Sequence, residues 1–237
     1  MLSRDEIFRK HEYPLTDKLK NFEKFVGHMD LARFLARHAI FQKVLGVKGS
    51  IVECGVRHGG GLFAWAKLSA IFEPYGFNRR ILGFDTFEGF PGTAAADRSS
   101  AGARNPHLKP GGFALPYDVH GELQELLEDH DRGRLLSQFR KVELVKGDAT
   151  ETIPAYLEQN RHLLVALLFL DFDLYEPTRA ALEGFLPRMP KGAVLAFDEL
   201  NSPDWPGETA ALLERCDLRN LRLEKLPFEP NIAFAVL

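Results

Sequence analysis

The sequence is poor in the features that mark exported, membrane-spanning or nucleic-acid-binding chains. It has two cysteines, Cys54 and Cys216, too few for a disulfide framework and without the spacing of a metal site. The longest apolar run, Leu163 to Leu170, falls well short of the roughly 20 residues that cross a bilayer. The first residues, MLSRDEIFRK, lack the apolar core of a secretory signal. A cytoplasmic location with no membrane partner is therefore expected. Positive charge is not in excess, since 30 Lys and Arg face 33 Asp and Glu for a net charge of −3. With no basic block along the chain, a partner held by phosphate neutralisation, such as nucleic acid, is not expected. Internal repeats are also missing, so 237 residues predict one α/β core with an added segment.

What is present is a change of texture near residue 49. Before it, Phe22, Phe25 and Val26, then Leu31, Phe34, Leu35, Ile40, Val44 and Leu45 recur at three- and four-residue intervals. Residues 1–48 are thus expected to form an N-terminal helical cap, with a possible subunit contact making a homo-oligomer. From there on, short apolar runs alternate with helical patterns: Ile51–Val56, Ile81–Asp85, Val142–Val145, Leu163–Asp171 and Ala193–Asp198. Strands alternating with helices predict βαβ units and a mostly parallel sheet. Leu221–Leu226 and Ile232–Leu237 are joined by only five residues, too few for a crossover, so they are expected to pair as an antiparallel hairpin. The fold class is α/β, a Rossmann-like doubly wound sheet of seven strands over residues 49–237. Pro91–Arg140 is the least regular stretch, becomes helical from about Glu122, and is expected to be a lid over substrate.

In the segment from Ile51 to Gly61 (IVECGVRHGGG), a strand runs into a glycine-rich turn and then a helix starting near Leu62. Backbone can approach a ligand closely there, and the helix N-terminus offers free N–H groups. A tight turn with no ligand is the alternative, because Arg57 stands where a GxGxxG fingerprint has its second glycine. The next strand ends at Asp85, where an acid accepts ribose hydroxyls. Asp148, after a third strand, suits an adenine amino group or a helix N-cap equally.

The sharpest feature is LDFDLYEPT, residues 170–178, at the end of the longest apolar run. In an open parallel sheet ligands bind at the carboxyl ends of strands, which is where Asp171 and Asp173 stand. Asp198 and Glu199 end the next strand in the same way. Four converging carboxylates repel one another unless a cation or proton is present, and oxygen donors suit Mg²⁺, Mn²⁺ or Ca²⁺. The alternative is that they only cap the helices that follow, at a solvated rim. His58 and Trp205 are open between a ligand pocket and plain loop packing, as are His107, Lys109 and His120 between a lid and the surface.

Through ECGV, FDTFEGFP, GDATETIP, LDFDLYEPT and AFDE, the stretch from about Gly49 to Leu237 resembles the metal-dependent sugar O-methyltransferases typified by macrocin O-methyltransferase. A parallel sheet closed by one antiparallel strand is likewise similar to class I methyltransferases. The resemblance implies an S-adenosylmethionine-dependent O-methyltransferase acting on a sugar-like small molecule with vicinal oxygens, with a divalent metal, Mg²⁺ first. It implies a cofactor site lined by Glu53, Gly55, Val56, Asp85, Thr86, Asp148, Ala149 and Asp171. It also makes Asp171, Asp198 and Glu199 metal ligands and Asp173 the general base. The chain departs from that family at Asp198-Glu199, where Asp-Asp is usual. The metal has a physical rationale: an aliphatic hydroxyl lies about 12 pKa units above an Asp, ~16 kcal/mol that a carboxylate alone does not bridge. Catechol, peptide or other natural-product acceptors, and a non-catalytic relative that binds the cofactor, are the alternatives. A nicotinamide oxidoreductase is disfavoured because neither GxGxxG nor an acid about 20 residues on is present.

Overall fold

The computed structural model describes residues 2–99 and 105–237; residues 100–104 of the expected lid lie outside the described residues. Two short helices come first, α1 (Arg4–Lys10) and α2 (Leu15–Lys20), followed by the long α3 (His28–Val44). A capping box starts α1: the Ser3 hydroxyl accepts from Glu6 N–H, while the Glu6 carboxylate accepts from Ser3 N–H. The alternating part then runs β1 (Ser50–Cys54), α4 (Gly60–Phe72), β2 (Ile81–Asp85), α5 (Val119–Arg132), β3 (Val142–Lys146) and α6 (Ala149–Gln159). It continues with β4 (Val165–Leu170), α7 (Tyr175–Phe185), β5 (Val194–Phe197), α8 (Gly207–Arg215), β6 (Glu224–Leu226) and β7 (Glu229–Val236).

The seven strands form one sheet in the order β3-β2-β1-β4-β5-β7-β6. The first five pair in parallel, and β7 runs antiparallel to both β5 and β6. The seven-stranded doubly wound sheet with its C-terminal hairpin is thus as expected, with β7 reaching back to Glu229 so that the turn is tighter. Every residue of β1, β4 and β5 is buried, because both faces of the sheet are covered. Ile51, Leu167, Phe169, Val194 and Ala196 join one core with α3, α4 and α5. Val52, Leu168, Leu170, Leu195 and Phe197 join the other with α6, α7 and α8.

The N-terminal helices divide in how they pack. Ala36, Ile40, Phe41 and Val44 of α3 are wholly buried in the first core, so this helix is one of the layers covering the sheet. In α2 Leu15 and Leu19 stay exposed. In the described part of 91–140, Asp97 is buried and accepts from Tyr175 N–H (2.6 Å) at the start of α7. No helix among the described residues is long and apolar enough to cross a membrane.

Candidate active site

The chain order turns back between β1 and β4, so the carboxyl ends of these neighbours open a crevice. Gly55 stands at its floor with φ 91°, and a Cβ there would overlap the Asp171 carbonyl oxygen. Only glycine allows that approach. The Gly59 turn (φ 80°) then starts α4. At the end of β2, Asp85 accepts from the N–H groups of Val56 (2.7 Å) and Arg57 (2.8 Å) through one oxygen and of Phe87 (2.6 Å) through the other. It ties the β1 turn to the β2 turn, and of its roughly four lone pairs about one, on Oδ1, remains for a ligand. Asp148 caps α6 by accepting from Thr150 N–H (2.9 Å) and hydroxyl (2.7 Å).

Gly55, Asp85 and Asp148 all line one cavity of about 690 Å³. Glu53, Gly55, Val56, Asp85, Thr86, Asp148 and Ala149 line it together with Asp171, Asp173, Asp198 and Glu199. Every residue selected from the sequence for the cofactor, the metal or the base therefore lines the same space. Trp205 also lines it, its ring 5.5 Å from Phe113 and 5.9 Å from Phe90 between centroids, so it belongs to a pocket wall. His58 lines it too and hydrogen-bonds the Tyr117 hydroxyl at 2.9 Å. His107, Lys109 and His120 are not among the lining residues, though His107 stacks behind Phe113 at 4.4 Å.

The electrostatics are those of crowded, desolvated acids. Burial, followed by the charges of Asp198, Asp173 and Glu208, raises the pKa of Asp171 well above the carboxylate range. Asp173, in left-handed backbone at φ 62°, is pushed up to about 7 by burial and then by Glu199 and Asp198. Glu199 is raised for the same kinds of reason. One cation answers this charge directly: Arg33 of α3 places Nη2 2.6 Å from Asp198 Oδ1 and 3.9 Å from Asp171 Oδ2.

Three more side chains escaped the sequence reading. Glu208, fully buried at the start of α8, accepts from the N–H groups of Phe172 (3.1 Å), Asp173 (3.3 Å) and Glu199 (3.2 Å), and so holds both acidic strand ends in place. The only signal for it was an acid in the first turn of a helix. Arg33 and Arg37, four apart on one face of α3, both line the cavity, and only that spacing hinted at it. Arg37 Nε and Glu53 Oε2 are buried without a hydrogen-bond partner.

The donor set suits a hard divalent cation, being all oxygen with negative charge in excess. Asp171, Asp198 and Glu199 are not gathered around one point, however. Among the described residues no three His, Cys, Asp or Glu groups form a cluster that could hold a metal ion, and Arg33 takes the place between the two aspartates.

Two predictions arise here. Asp85→Ala is expected to weaken S-adenosylmethionine binding tenfold or more, since charge-assisted hydrogen bonds are worth roughly 1.5–3 kcal/mol each. Melting temperature should fall too, because three backbone N–H groups lose their acceptor; calorimetry with a melting curve reads both. The second concerns Glu53, pushed up to about 8 by burial, against the opposing pull of Arg37 and Trp65 and with the Asp198 and Asp85 charges adding to it. The folded chain then keeps a proton that the unfolded chain releases near 4.5, so stability is lost as pH rises from about 4.5 to 8. At about 1.4 kcal/mol per pKa unit, Glu53→Gln should raise the melting temperature of the ligand-free protein at pH 8 by several degrees and flatten its pH dependence. An unchanged slope would count against it.

The doubly wound sheet with its closing hairpin, and a crevice floored by Gly55 with Asp85 one strand over, define the Rossmann-like fold of the class I S-adenosylmethionine-dependent methyltransferases. A family model described as Macrocin-O-methyltransferase (TylF) matches residues 25–212. This chain belongs to that family. The 8-demethyl-8-(2,3-dimethoxy-alpha-L-rhamnosyl)-tetracenomycin-C 4'-O-methyltransferase of Streptomyces olivaceus is 30% identical over 155 residues, 65% of this chain and 54% of that protein. The chain thus spans about half the length of this curated relative. A crystal structure of CalS11, calicheamicin methyltransferase, superposes with a TM-score of 0.92 at 36% identity, covering 98% of this chain and 89% of that one. The apo structure of CalS11, described as a TDP-rhamnose 3'-O-methyltransferase, gives 0.84 at 32%, covering 98% and 90%. The O-methyltransferase NovP shares the fold, with a TM-score of 0.63 at 21% identity, covering 86% and 79%.

Proposed function

We propose that this chain transfers a methyl group from S-adenosylmethionine to a hydroxyl of a sugar or glycosylated small molecule, with a divalent cation, Mg²⁺ first, assisting. The observation that carries this reading is one cavity lined both by Gly55 and Asp85 at the ends of β1 and β2 and by four carboxylates, Asp171, Asp173, Asp198 and Glu199. S-adenosylmethionine supplies an electrophilic methyl group on a sulfonium. Glu53 and Arg37, with polar atoms buried and unpartnered, suit the ammonium and carboxylate of its methionyl end. Asp85 suits the ribose and Asp148 the base. Asp173 takes the proton from the acceptor hydroxyl as the oxygen–methyl bond forms and the sulfur–methyl bond breaks. Glu208 holds Asp173 in place through its backbone N–H.

A divalent cation held by Asp171, Asp198 and Glu199 would supply the charge that stabilises an alkoxide. For the acceptor, the aromatic wall of Phe90, Phe113 and Trp205 suits the apolar C–H face of a deoxyhexose. That agrees with the rhamnose named for the tetracenomycin and calicheamicin relatives. The exposed Leu15 and Leu19 of α2 suit self-association through the N-terminal helices.

Calorimetry with S-adenosylmethionine and with NAD tests the cofactor, and an acceptor panel of rhamnosides, catechols and peptides tests the substrate. Binding of S-adenosylmethionine alone and turnover of rhamnosides are expected. Turnover of catechols or peptides only would replace the sugar reading, and cofactor binding with no turnover of any acceptor would favour a non-catalytic relative.

A further inference from the structure

Arg33 does two things that a passive wall residue would not. Its guanidinium lies between carboxylates from two different strands, 2.6 Å from Asp198 and 3.9 Å from Asp171. It also comes from α3, outside the motifs at the strand ends, so the counter-charge is brought in by a separate layer of the fold. Arg37 and Arg57, the other arginines of the cavity, lie over the Phe169 ring at 5.5 Å and the Phe113 ring at 4.6 Å; their charges act on Glu53 and Asp173, and neither makes an ion pair with Asp171 or Asp198 among the described residues. A guanidinium offers only donors; it neutralises Asp171 and Asp198 but cannot accept the lone pairs of a substrate oxygen as a metal does. A divalent ion bound to the same oxygens would meet a like charge at contact distance. The Arg33 side chain is 29% exposed, which leaves it room to turn into the cavity.

We infer that Arg33 and a divalent cation are alternative counter-charges for the Asp171–Asp198 pair, so that the guanidinium leaves its place when the cation enters. The inference rests on the metal reading above and goes beyond it. Arg33 keeps the acidic strand ends together without metal, at the cost of a weaker apparent metal affinity.

The test is calorimetric titration of Mg²⁺ and Mn²⁺, with no acceptor present, into the wild type, Arg33→Met and Arg33→Lys. Arg33→Met keeps an apolar stem and removes the charge. It is expected to bind Mg²⁺ about tenfold more tightly or better, to melt lower in chelator, and to gain more from saturating Mg²⁺ than the wild type does. Arg33→Lys keeps the charge and should stay close to the wild type. A second measurement needs no variant. Modification of Arg33 by phenylglyoxal, read by peptide mass spectrometry, should speed up several-fold when Mg²⁺ is added to the native protein. Equal Mg²⁺ affinity in wild type and Arg33→Met, or weaker binding in the variant, overturns the exchange and leaves the metal reading standing. No binding of either metal by any of the three proteins overturns both.

Discussion

Asp173→Asn is expected to lower turnover on the order of 10²–10⁴-fold, the range for a positioned general base, while S-adenosylmethionine affinity stays as in the wild type. The amide keeps the shape of the carboxylate but cannot take a proton. The backbone N–H of Asp173 still donates to Glu208, so the loop keeps its anchor. Stability should move the other way. Asp173 is half-buried, and its pKa is pushed up by desolvation and then by Glu199 and Asp198, so a neutral side chain relieves desolvation and repulsion and the variant should melt no lower than the wild type. Loss of turnover with a retained or raised melting temperature separates a chemical role from damage to the fold. Initial rates beside a melting curve decide it, and turnover within a few-fold of wild type would remove Asp173 as the base.

Gly55→Ala is expected to be strongly destabilising. A residue with a Cβ pays about 1–2 kcal/mol for left-handed backbone, and forcing an atom into a packed space costs about 1–3 kcal/mol more. Here the obstacle is the Asp171 carbonyl oxygen, which belongs to backbone paired with β1 through Asp171 N–H and the Cys54 carbonyl (2.8 Å). It cannot swing aside as a side-chain tip can. At roughly 2–4 °C per kcal/mol for a chain of this size, the melting temperature should drop by about 5–15 °C, with cofactor binding lost as β1 and β4 separate. Gly46→Ala is the control, since nothing lies within 4 Å of its added Cβ. Equal melting curves for the two variants would contradict the close approach.

The contrast between Gly55 and Arg33 shows what the sequence makes legible. Gly55, Asp85, Asp171 and Asp198 all stand at the ends of apolar runs of strand length, and an α/β sheet places such ends on one edge. Local pattern was enough to find them. The sheet was legible for the same reason, because Val165–Leu170 has strand length, is apolar on both faces and is flanked by helical periods. Arg33, Glu208 and Asp97 carry no local sign, since each acts on backbone or carboxylates far along the chain. Glu208 reads as an ordinary first-turn acid of α8, and Arg33 as a charge on a helix whose packing partner the period does not name. The same gap explains α3: its apolar stripe predicted a helix, but not that the stripe would bury against the sheet instead of forming an outer cap. Asp85 shows the converse, since the expectation of a ligand residue took no account of the three backbone N–H groups it holds.

The central claim is methyl transfer to a sugar hydroxyl, and it is tested most directly with the purified chain, S-adenosylmethionine carrying an isotopically labelled methyl group, and TDP-rhamnose or a rhamnosylated aglycone. Products are followed by mass spectrometry and NMR. The account predicts S-adenosylhomocysteine and a sugar methyl ether in equal amounts, with the labelled carbon bonded to a ring hydroxyl oxygen and with formation slowed on the order of 10²–10⁴-fold in Asp173→Asn. Label on the aglycone or on nitrogen, or S-adenosylhomocysteine formed at the same rate by Asp173→Asn, would contradict it.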